Sequence, residues 1–572
     1  MTEAHRSHTP FGTAVKNVAR LVRPQVRITP PPAGVVFERD VPVPVRDGTV
    51  LRANVFRPEA PGRYPVLLSL QPYGKDQLPK ARRRGYAVPL QYRLAAGDEP
   101  MTVSAWTGLE APDPGFWVPR GYVVINGDLR GWGTSAGHPE PFGPTEGQDV
   151  HDVVEWASAQ SWSSGKVGMS GVSYLAISQW TGAATRPPHL AAINPWEGFT
   201  DAYRDFSYPG GVREDGFMIL WSAWQKLLRP RSPSFRRGQR AHPLRDVWWD
   251  QRAPALEQID VPALVCASFS DHSLHTRGSF AGFERISSQH KWLYTHRAPK
   301  WPEYYGQCGQ RAQAQFFDHF LKGEDTGILD IAPVRVEVRD ALHCVVAVRG
   351  ADQWPPADVR AVVLHLDAST GQLRSQVPTA STAVPVPRAG AQFRFRFERT
   401  TDVVGALRLR VSISIDGTGA DAGSDDLTLF AGIRKVRDGR EVVFEGSYGF
   451  TEDMVTRGWL RASHRGLDPT RSSDVEAHHP HTSTLPLAPG TPVDLDLTLL
   501  PSATRFAAGD ELVLELRNRW FFPANPLTGQ FPAIYEHTPA QHWRIHTGPN
   551  ATNTLTVPTW DTTGAPEHAT TL

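Results

Sequence analysis

One segment in the first third of the chain constrains the fold more than any other. An apolar, strand-like run begins at Val167 and reaches Gly171, Ser173 follows, and a helix-compatible stretch begins at Tyr174. A serine in so tight a turn needs neighbours that are small or allow close backbone approach, and Gly171 meets that need. Two positions after the serine stands Leu175, where such turns usually have glycine. The pattern predicts a strand–turn–helix unit with Ser173 at its apex, and an ordinary glycine-rich turn is the alternative.

The elements before Ser173 favour the first interpretation. Residues 64–70 and 122–126 are short, nearly continuous apolar runs, as expected of strands buried on both faces of a parallel sheet. Between the second run and the serine, residues 146–160 place apolar side chains at helical spacing. The order strand, helix, strand, serine, helix is a β-α-β unit. It puts Ser173 at the carboxyl end of a strand, where open α/β sheets bind ligands.

Length and charge limit the class of protein. A chain of 572 residues is expected to form two or three domains. With 60 basic and 59 acidic residues, the net charge of +1 does not suggest a nucleic-acid or membrane partner. No stretch approaches the roughly 20 apolar residues of a membrane span. Three scattered cysteines form neither a disulfide scaffold nor a metal-spaced pair, which is compatible with a reducing compartment and predicts a cytoplasmic protein.

Changes in pattern along the chain predict three parts. Residues 1–35 form an N-terminal extension that ends in a proline-rich segment. Residues 36–330 alternate apolar runs with helical patterns and are predicted to be one α/β domain. Within it, residues from about 197 to about 255 are rich in aromatic and charged residues and carry no strand pattern. We interpret this stretch as a helical cap over the site, with an ordinary helical insert as the alternative.

The third part, residues 331–572, has a different periodicity. Apolar residues alternate with other residues in several short runs, as strands with one buried face do. The alternating sets are Phe393, Phe395 and Phe397; Leu407, Leu409, Val411, Ile413 and Ile415; Val493, Leu495, Leu497 and Leu499; and Leu512, Leu514 and Leu516. Because Gly, Pro and Asp turns separate these runs, we predict an all-β sandwich.

An acid and a base follow Ser173 in the order that α/β-hydrolases use. A serine hydroxyl is a weak nucleophile until a base takes its proton, and a carboxylate orients that base. Asp271 lies just beyond an apolar run at 261–269, and His296 lies just beyond another at 291–295. Both residues therefore fall at the carboxyl ends of predicted strands. They are the predicted acid and base.

Each of these assignments has an alternative. Asp271 is equally suited to cap a helix that begins near His272. A histidine like His296, taken alone, is more often a surface-loop residue. Only its place after Ser173 and Asp271 in the chain favours its assignment as the base. His272 and His275 compete for the role of base, but they lie in the loop of the acid and follow no new strand, so they rank behind His296. His319, within a helical run, is interpreted as a packing or surface residue.

A cluster at His478, His479 and His481 invites a metal interpretation. It lies in a polar, turn-rich stretch, which favours a solvated loop, so no metal site is predicted there.

Donors for an oxyanion are also predicted. The backbone N–H of Tyr174, the residue after the serine, is one. The loop at residues 71–76, after an early strand, is expected to supply the second through the phenol of Tyr73, although a tyrosine packed in a Pro/Gly turn is an equally good interpretation.

Taken together, these segments resemble the cocaine esterase and X-Pro dipeptidyl-peptidase family of serine hydrolases. The resemblance runs from about residue 36 nearly to the C-terminus. The matching motifs are Val43–Leu51, Gln71–Tyr73, Asp128–Ser135, Gln160–Trp162, Gly165–Gly168, Gly171–Leu175, Phe316–Gly323 and Gly458–Ser463.

The resemblance implies an α/β-hydrolase fold with a helical cap, a C-terminal jelly-roll sandwich and no cofactor. It implies Ser173 as nucleophile, Asp271 as orienting acid, His296 as base, and Tyr73 with the Tyr174 amide as oxyanion hole. The chain departs from the family in two places. Ala176 stands where the family usually has glycine, and the residues after Tyr294 read Thr-His-Arg-Ala-Pro-Lys-Trp where Gly-Pro-Trp-x-His is common.

The predicted function is therefore hydrolysis of a small ester or amide, or of a short peptide, by a serine hydrolase that forms an acyl-enzyme. One alternative is an X-Pro dipeptidyl-peptidase or α-amino-ester hydrolase that holds a free ammonium. Carboxylates of the cap stretch could serve that purpose or form a solvated helix face, namely Asp201, Asp205, Glu214 and Asp215. A third hypothesis, of a different class, is a binding protein that uses the β-sandwich and does no catalysis.

Overall fold

A mostly parallel β-sheet forms the centre of the N-terminal half of the molecule. The computed structural model describes residues 15, 18–19, 21–95, 100–228, 234–417, 423–449, 451–524, 530, 533–538 and 542–561. The sheet order is β2-β3-β8-β4-β9-β10-β11-β12-β13, with β3 antiparallel to both β2 and β8 and all other neighbours parallel. Its strands are β2 (Val35–Pro44), β3 (Val50–Pro58), β4 (Tyr64–Gln71), β8 (Val123–Asp128), β9 (Ser163–Val172), β10 (Leu190–Trp196), β11 (Ala263–Ser268), β12 (Lys291–His296) and β13 (Val334–Ala341).

Two small strand pairings, β1 with β7 and β5 with β6, flank this sheet. A short strand within the predicted extension pairs in parallel with a later one, so part of residues 1–35 belongs to the folded domain. The short strands of this half are β1 (Val26–Thr29), β5 (Lys80–Ala81), β6 (Tyr86–Ala87) and β7 (Met101–Ser104).

Helices cover the sheet because its strands are apolar on both sides. Every residue of β8 and β11 is buried. The helices are α1 (Leu90–Ala95), α2 (Pro114–Trp117), α3 (Pro144–Ser158), α4 (Tyr174–Ala183), α5 (Gly216–Leu228), α6 (Phe235–Ala241), α7 (Val247–Asp250), α8 (Thr276–Arg285), α9 (Lys300–Tyr305) and α10 (Gln307–Phe317). α3 and α4 pack on each other on either side of β9 in the chain, which confirms the β-α-β unit predicted around Ser173.

The segment between β10 and β11 contains α5, α6 and α7 together with a π-helical turn at Ala202–Ser207. Its aromatic side chains pack on one another and on the domain below. Phe206, Trp221, Phe235 and Trp249 are all buried. A helical insert therefore lies over the carboxyl ends of the central strands.

The C-terminal half is an all-β sandwich, as predicted. β19 pairs with β25, β27 and β28, while β26 lies between β18 and β20 in the other layer. Alternate residues of β19 and β26, such as Leu409 and Leu514, are fully buried in one hydrophobic core. The strands are β14 (Cys344–Ala351), β15 (Arg360–Asp367), β16 (Gln372–Arg374), β17 (Thr382–Pro385), β18 (Ala391–Arg396), β19 (Thr401–Ile415), β20 (Thr428–Arg437), β21 (Arg440–Val442), β22 (Phe444–Glu445), β23 (Glu452–Asp453), β24 (Thr456–Arg461), β25 (Val493–Phe506), β26 (Glu511–Arg517), β27 (Trp543–Thr547) and β28 (Thr554–Trp560).

The two halves are joined through β13 and through a buried arginine. β13 pairs with β12 of the hydrolase sheet at one end and with β25 of the sandwich at the other. Arg297, directly after β12, donates to the backbone carbonyls of Met454 (2.6 Å) and Val455 (2.9 Å) in the sandwich. These bonds fix the β22–β24 region against the carboxyl ends of the central strands.

The histidine cluster is not the solvated loop that the sequence predicted. His478, His479 and His481 are all buried and line a cavity of about 410 Å³ where the two halves meet. His479 bonds the carbonyl oxygens of Gly466 and Asp496, at 3.0 and 2.8 Å. The polar composition of the stretch reflects these internal hydrogen bonds and not exposure to water.

No helix in the described part of the chain is both long and apolar enough to cross a membrane.

Candidate active site

Ser173 occupies a strained turn between β9 and α4. Its backbone φ of 60° and ψ of −116° lie outside the regions that L-amino acids prefer. Gly171 has φ 147°, and a Cβ there would lie 2.5 Å from the Cβ of Leu175. The turn therefore requires glycine at 171, as the sequence indicated. It lifts Ser173 to the carboxyl end of β9, at the edge of the sheet that faces the cap.

Ala176 stands where the family usually has glycine, and Gly198 leaves space for its methyl group. A Cβ built on Gly198 would lie 2.6 Å from the Cβ of Ala176. Gly198 comes two residues after β10, the neighbour of β9 in the sheet. The bulk that the turn gains at position 176 is thus matched by the missing side chain at position 198.

The histidine that reaches Ser173 is His275. Its Nε2 lies 3.2 Å from the Ser173 Oγ, and its Nδ1 lies 2.6 Å from the Oδ2 of Asp271. All three side chains are buried. The structure thus joins Ser173 and Asp271, as the sequence predicted, but through a histidine that the sequence analysis had ranked second.

His296, the predicted base, is not the histidine that the structure brings to Ser173. It is the last residue of β12 and is fully buried, with Nε2 3.0 Å from the Oε1 of Glu197. Burial alone would lower the pKa of His296, but Glu197, together with Glu303 and Glu337, raises it. A position at a strand end was a correct indication of nearness to the site. It did not determine which carboxylate the ring would meet.

Local backbone geometry explains why His275 succeeds. The N–H groups of Leu274, His275 and Thr276 all donate to the carbonyl oxygen of Asp271, which folds the loop into a single turn. Side chains four residues apart lie on the same face of such a turn. The i, i+4 spacing of Asp271 and His275 was the signal in the sequence that identifies this pair.

Two further groups hold the carboxylate of Asp271. Lys300, the first residue of α9, places its Nζ 2.6 Å from the same Oδ2 that accepts from His275. Ser447, in the sandwich half, donates to Oδ1 at 2.8 Å. The sequence analysis missed both residues. Lys300 lies in the segment that departs from the family pattern after Tyr294, and nothing in the sequence near Ser447 indicated its role.

Electrostatics favour an ionised acid beside a neutral base. Although burial opposes ionisation, Lys300 and His275 hold the pKa of Asp271 far below its usual range. Burial and the charge of Lys300 lower the pKa of His275, against the opposing pull of Asp271. A neutral imidazole can accept the Ser173 proton, so the arrangement is chemically able to activate the serine.

Tyr73 and Tyr174 lie beside the serine. The Tyr73 side chain forms a hydrogen bond with Ser173, and burial raises the pKa of this phenol well above its ordinary value, so it remains a proton donor. Tyr174 is the first residue of α4, where a backbone N–H has no acceptor within the helix. Its hydroxyl turns away and donates to Glu146 at 2.7 Å. The amide of Tyr174 and the phenol of Tyr73 are thus both near the reacting oxygen.

Aromatic rings of the cap, together with Phe142 just before α3, pack around the site. Phe142 stacks on Tyr174 at 4.9 Å between ring centroids, and on Trp221 of α5 at 5.6 Å. Phe199 stacks on the ring of His275 at 6.3 Å. The surroundings of the serine are consequently apolar on the side of the cap.

The carboxylates that the sequence offered as ammonium ligands all have partners within the protein. Asp201 pairs with Arg204 and Arg245, and Asp205 pairs with Arg277. The remaining two bond differently: Glu214 accepts from backbone N–H groups at positions 217 and 218, and Asp215 pairs with Arg213.

A different carboxyl group, Glu110, lies near the catalytic groups. It has φ 68°, and its Oε1 accepts from the indole N–H of Trp301 at 3.2 Å. Burial is the main reason that its pKa rises to about 8. Its backbone carbonyl accepts from the N–H of Val172, so the residue supports the turn that carries Ser173.

In the described part of the chain, no cluster of three or more His, Cys, Asp or Glu residues is arranged to hold a metal ion.

Comparison with family models supports the division into two halves. Residues 47–234 match the X-Pro dipeptidyl-peptidase (S15 family) model, and residues 327–556 match the X-Pro dipeptidyl-peptidase C-terminal non-catalytic domain.

Individual relatives agree with these matches. A crystal structure of a CocE/NonD family hydrolase from Staphylococcus aureus is 34% identical, covers 95% of this chain and 100% of that one, and has a TM-score of 0.86. Cocaine esterase from Rhodococcus sp. (strain MB1 Bresler) is 34% identical over 185 residues, which are 32% of this chain and 28% of the esterase. A putative Xaa-Pro dipeptidyl-peptidase from Bacillus cereus is 22% identical over 467 residues, 72% of this chain and 74% of that protein.

The match to the cocaine esterase thus spans less than a third of that enzyme's length. The family resemblance noted from the sequence is confirmed, and so are the α/β-hydrolase fold and the β-rich C-terminal half. The family-level prediction of a serine hydrolase enzyme is confirmed as well.

Proposed function

The chain belongs to the CocE/NonD family of hydrolases, and we propose that it cleaves a small ester or amide through an acyl-enzyme formed on Ser173. One observation carries this proposal: the continuous line of contacts from the Ser173 Oγ to His275 (3.2 Å) and on to Asp271 (2.6 Å). A nucleophile, a base and an orienting acid in hydrogen-bond reach of one another are what acyl transfer needs.

The proposed reaction begins with proton transfer. His275 Nε2 takes the Ser173 proton as the Oγ attacks the substrate carbonyl, and the C=O electron pair moves to the oxygen. The amide of Tyr174 and the hydroxyl of Tyr73 donate to this oxyanion. Asp271 keeps the proton of His275 on Nδ1 and stabilises the imidazolium. His275 then gives its new proton to the departing alcohol or amine as the C–O or C–N bond breaks.

Deacylation repeats the same steps with water. His275 takes a proton from a water molecule, whose oxygen attacks the acyl carbon, and the Ser173 oxygen leaves with the proton that His275 returns. The products are a carboxylic acid and the regenerated enzyme. The aromatic rings of the cap around Tyr174 and His275 favour a compact apolar acyl or leaving group.

Turnover of a chromogenic short-chain ester tests the proposal. We expect Ser173→Ala to reduce kcat by at least about 10³-fold, because the acyl-enzyme cannot form. A serine that lies on the surface of the sandwich, Ser369, supplies the matched control, and Ser369→Ala should retain the wild-type rate. Undiminished turnover by Ser173→Ala would refute the proposal.

A second candidate is cleavage of short peptides that carry a free amino terminus. It is favoured by the matches of both halves to X-Pro dipeptidyl-peptidase models. The carboxylates of the cap do not support it, because each is engaged by arginine or backbone N–H groups. Equal activity on a free-amine substrate and its N-acylated form would reject this candidate.

A third candidate, a binding protein without catalysis, is disfavoured by the Ser173–His275–Asp271 geometry. Failure of a fluorophosphonate probe to label Ser173 would favour it again.

A further inference from the structure

The mechanism above gives no role to Lys300, a buried lysine in contact with Asp271 and His275. The side chain of Lys300 is only 1% exposed, and its Nζ lies 2.6 Å from Asp271 Oδ2 and 3.0 Å from His275 Nδ1. The Oδ2 of Asp271 therefore accepts hydrogen bonds from both Lys300 and His275. A buried lysine is costly, so its presence in direct contact with the catalytic pair requires an explanation.

We propose that Lys300 is a positioning residue that acts through Asp271 and His275: it fixes the carboxylate and, as a permanent positive charge beside the imidazole, keeps His275 in its neutral, proton-accepting form down to acidic pH. The inference rests on the proposed function of Ser173 and His275. Lys300 touches neither the serine nor the substrate in this scheme.

Lys300 stays charged because acidic groups surround it. Burial would lower its pKa, but Asp271 at 2.6 Å and Glu197 at 3.8 Å raise it. A second positive charge on His275, only 3.0 Å away, meets strong repulsion in a buried site. The protonated form of His275 is therefore disfavoured for as long as Lys300 is present.

Asp271, the acceptor held by Lys300, places the hydrogen of His275 on Nδ1. An ammonium group only donates, so a proton on Nδ1 can be given to Asp271 but not to Lys300. The Oδ2 of Asp271 accepts from Lys300 and from His275 while Oδ1 accepts from Ser447, so the carboxylate is held at three points. With Nδ1 as the donor, Nε2 faces Ser173 as an acceptor.

The other groups that face His275 do not replace this charge. Asp271 and Glu197 are acidic and pull the pKa of His275 upward. Glu110, with a pKa of about 8, is neutral at lower pH. Tyr73 and Tyr448 are phenols whose pKa values burial raises well above the ordinary value. His272, in the same loop, also has a pKa well below its usual value, chiefly because it is buried.

The pH dependence of Ser173 labelling by a fluorophosphonate tests the role of Lys300 without a substrate. In this reaction the serine oxygen bonds to phosphorus, the P–F bond breaks, fluoride leaves and the serine proton passes to His275. The rate is measured from about pH 4 to about pH 9, which brackets an ordinary histidine. We define the acidic midpoint as the pH at which the labelling rate is half its maximum. For the wild type we expect this midpoint to lie below about pH 6.5, the usual pKa of histidine.

Two substitutions at Lys300 separate charge from packing. Lys300→Met removes the charge, and the acidic midpoint should rise by about 1 pH unit or more. Lys300→Arg keeps a positive charge, so its midpoint should stay near that of the wild type. Lys166, a surface lysine that bonds the Phe320 carbonyl, supplies the control, and Lys166→Met should leave the midpoint unchanged.

Several outcomes would overturn the inference. If Lys300→Met loses rate equally at every pH and keeps the wild-type midpoint, Lys300 is purely structural. A wild-type midpoint at or above about pH 6.5 contradicts the inference by itself. If circular dichroism shows that Lys300→Met does not fold, the wild-type midpoint is the measurement that tests the inference. Labelling of Ser173→Ala at the wild-type rate would instead show that the proposed function has failed.

Discussion

At the scale of single residues, three buried histidines near the strand ends have distinct surroundings. His275 faces Ser173 and Asp271, His296 faces Glu197, and the side chain of His272 lies 3.8 Å from Asp453. Each ring is within reach of a carboxylate, but one alone of these three also contacts the serine. Contact with both partners is what gives His275 its assignment as the base.

Substitution of the two histidines distinguishes their roles. We expect His275→Gln to lower kcat/KM for a chromogenic ester by at least about 10³-fold, because Ser173 loses its base. His296→Gln should keep kcat within about tenfold and lower the free energy of unfolding, because Glu197 loses a buried partner. Steady-state kinetics and denaturant unfolding of both variants check this. The opposite ranking of the two kcat/KM values would return the base to His296.

Glu110 makes stability depend on pH. The folded protein keeps the Glu110 proton up to about pH 8, whereas an ordinary glutamate releases it near 4.5. Because the folded state binds the extra proton, the free energy of unfolding falls as pH rises through this window, and the loss is absent below it. Glu110→Gln should flatten this fall between about pH 5 and about pH 8 in urea unfolding. A variant with the wild-type slope would contradict the raised pKa.

At the scale of elements, the carboxyl ends of four parallel strands assemble the site. Ser173 follows β9, Glu197 follows β10, Asp271 lies three residues beyond β11, and His296 ends β12. The strands are tied together at these ends: the Ser173 N–H donates to Trp196 O at 3.0 Å, and the Phe269 N–H donates to His296 O at 2.8 Å. Parallel pairing brings residues that are far apart in the chain to one edge, which is why the site can draw on so many segments.

The match between Ala176 and Gly198 is testable at this scale. Gly198→Ala places two Cβ atoms about 2.6 Å apart and should destabilise the protein by about 1–3 kcal/mol through overpacking. Adding Ala176→Gly to that variant should restore part of the stability, because the closest contact is removed while the backbone C of Ala176 and N of Ile177 remain 3.1 Å from the added Cβ. Denaturant midpoints of the two single variants and the double variant report the coupling. Purely additive effects would show that the two positions do not interact.

At the scale of the whole molecule, the sandwich half contributes directly to the site. Ser447 donates to Asp271 Oδ1, the Tyr448 ring lies 4.4 Å from Lys300 Nζ, and Arg297 ties the same region to the end of β12. The C-terminal half therefore supplies a hydrogen bond to the proposed acid. Its docking determines how firmly the acid is held.

Removing the Ser447 hydroxyl measures that contribution. We expect Ser447→Ala to lower kcat by roughly tenfold, or about 1.4 kcal/mol, which is close to the range for a hydrogen bond to a charged group. KM should change little, because the hydroxyl contacts Asp271 and not the substrate. The surface variant Ser369→Ala is the control, and kinetics on the same ester compare the two. An unchanged kcat in Ser447→Ala would show that the sandwich supports the fold alone.

The sequence by itself determined the parallel sheet, the β-rich second half and the position of Ser173, because these depend on local periodicity and on the steric demands of one turn. Apolar runs such as 122–126 and the alternation at 407–415 each carry their own signal. Asp271 could also be assigned in this way, since it closely follows a strand.

Only the tertiary structure decided which histidine meets the serine and what holds the acid. His275, Lys300 and Ser447 converge on Asp271 from the acid's own loop, from α9 and from the sandwich. The contact of Ser173 with His275 spans 102 residues and that of Asp271 with Ser447 spans 176. No local pattern encodes packing between segments so far apart in the chain. For the same reason, the polar stretch at 478–481 proved to be buried.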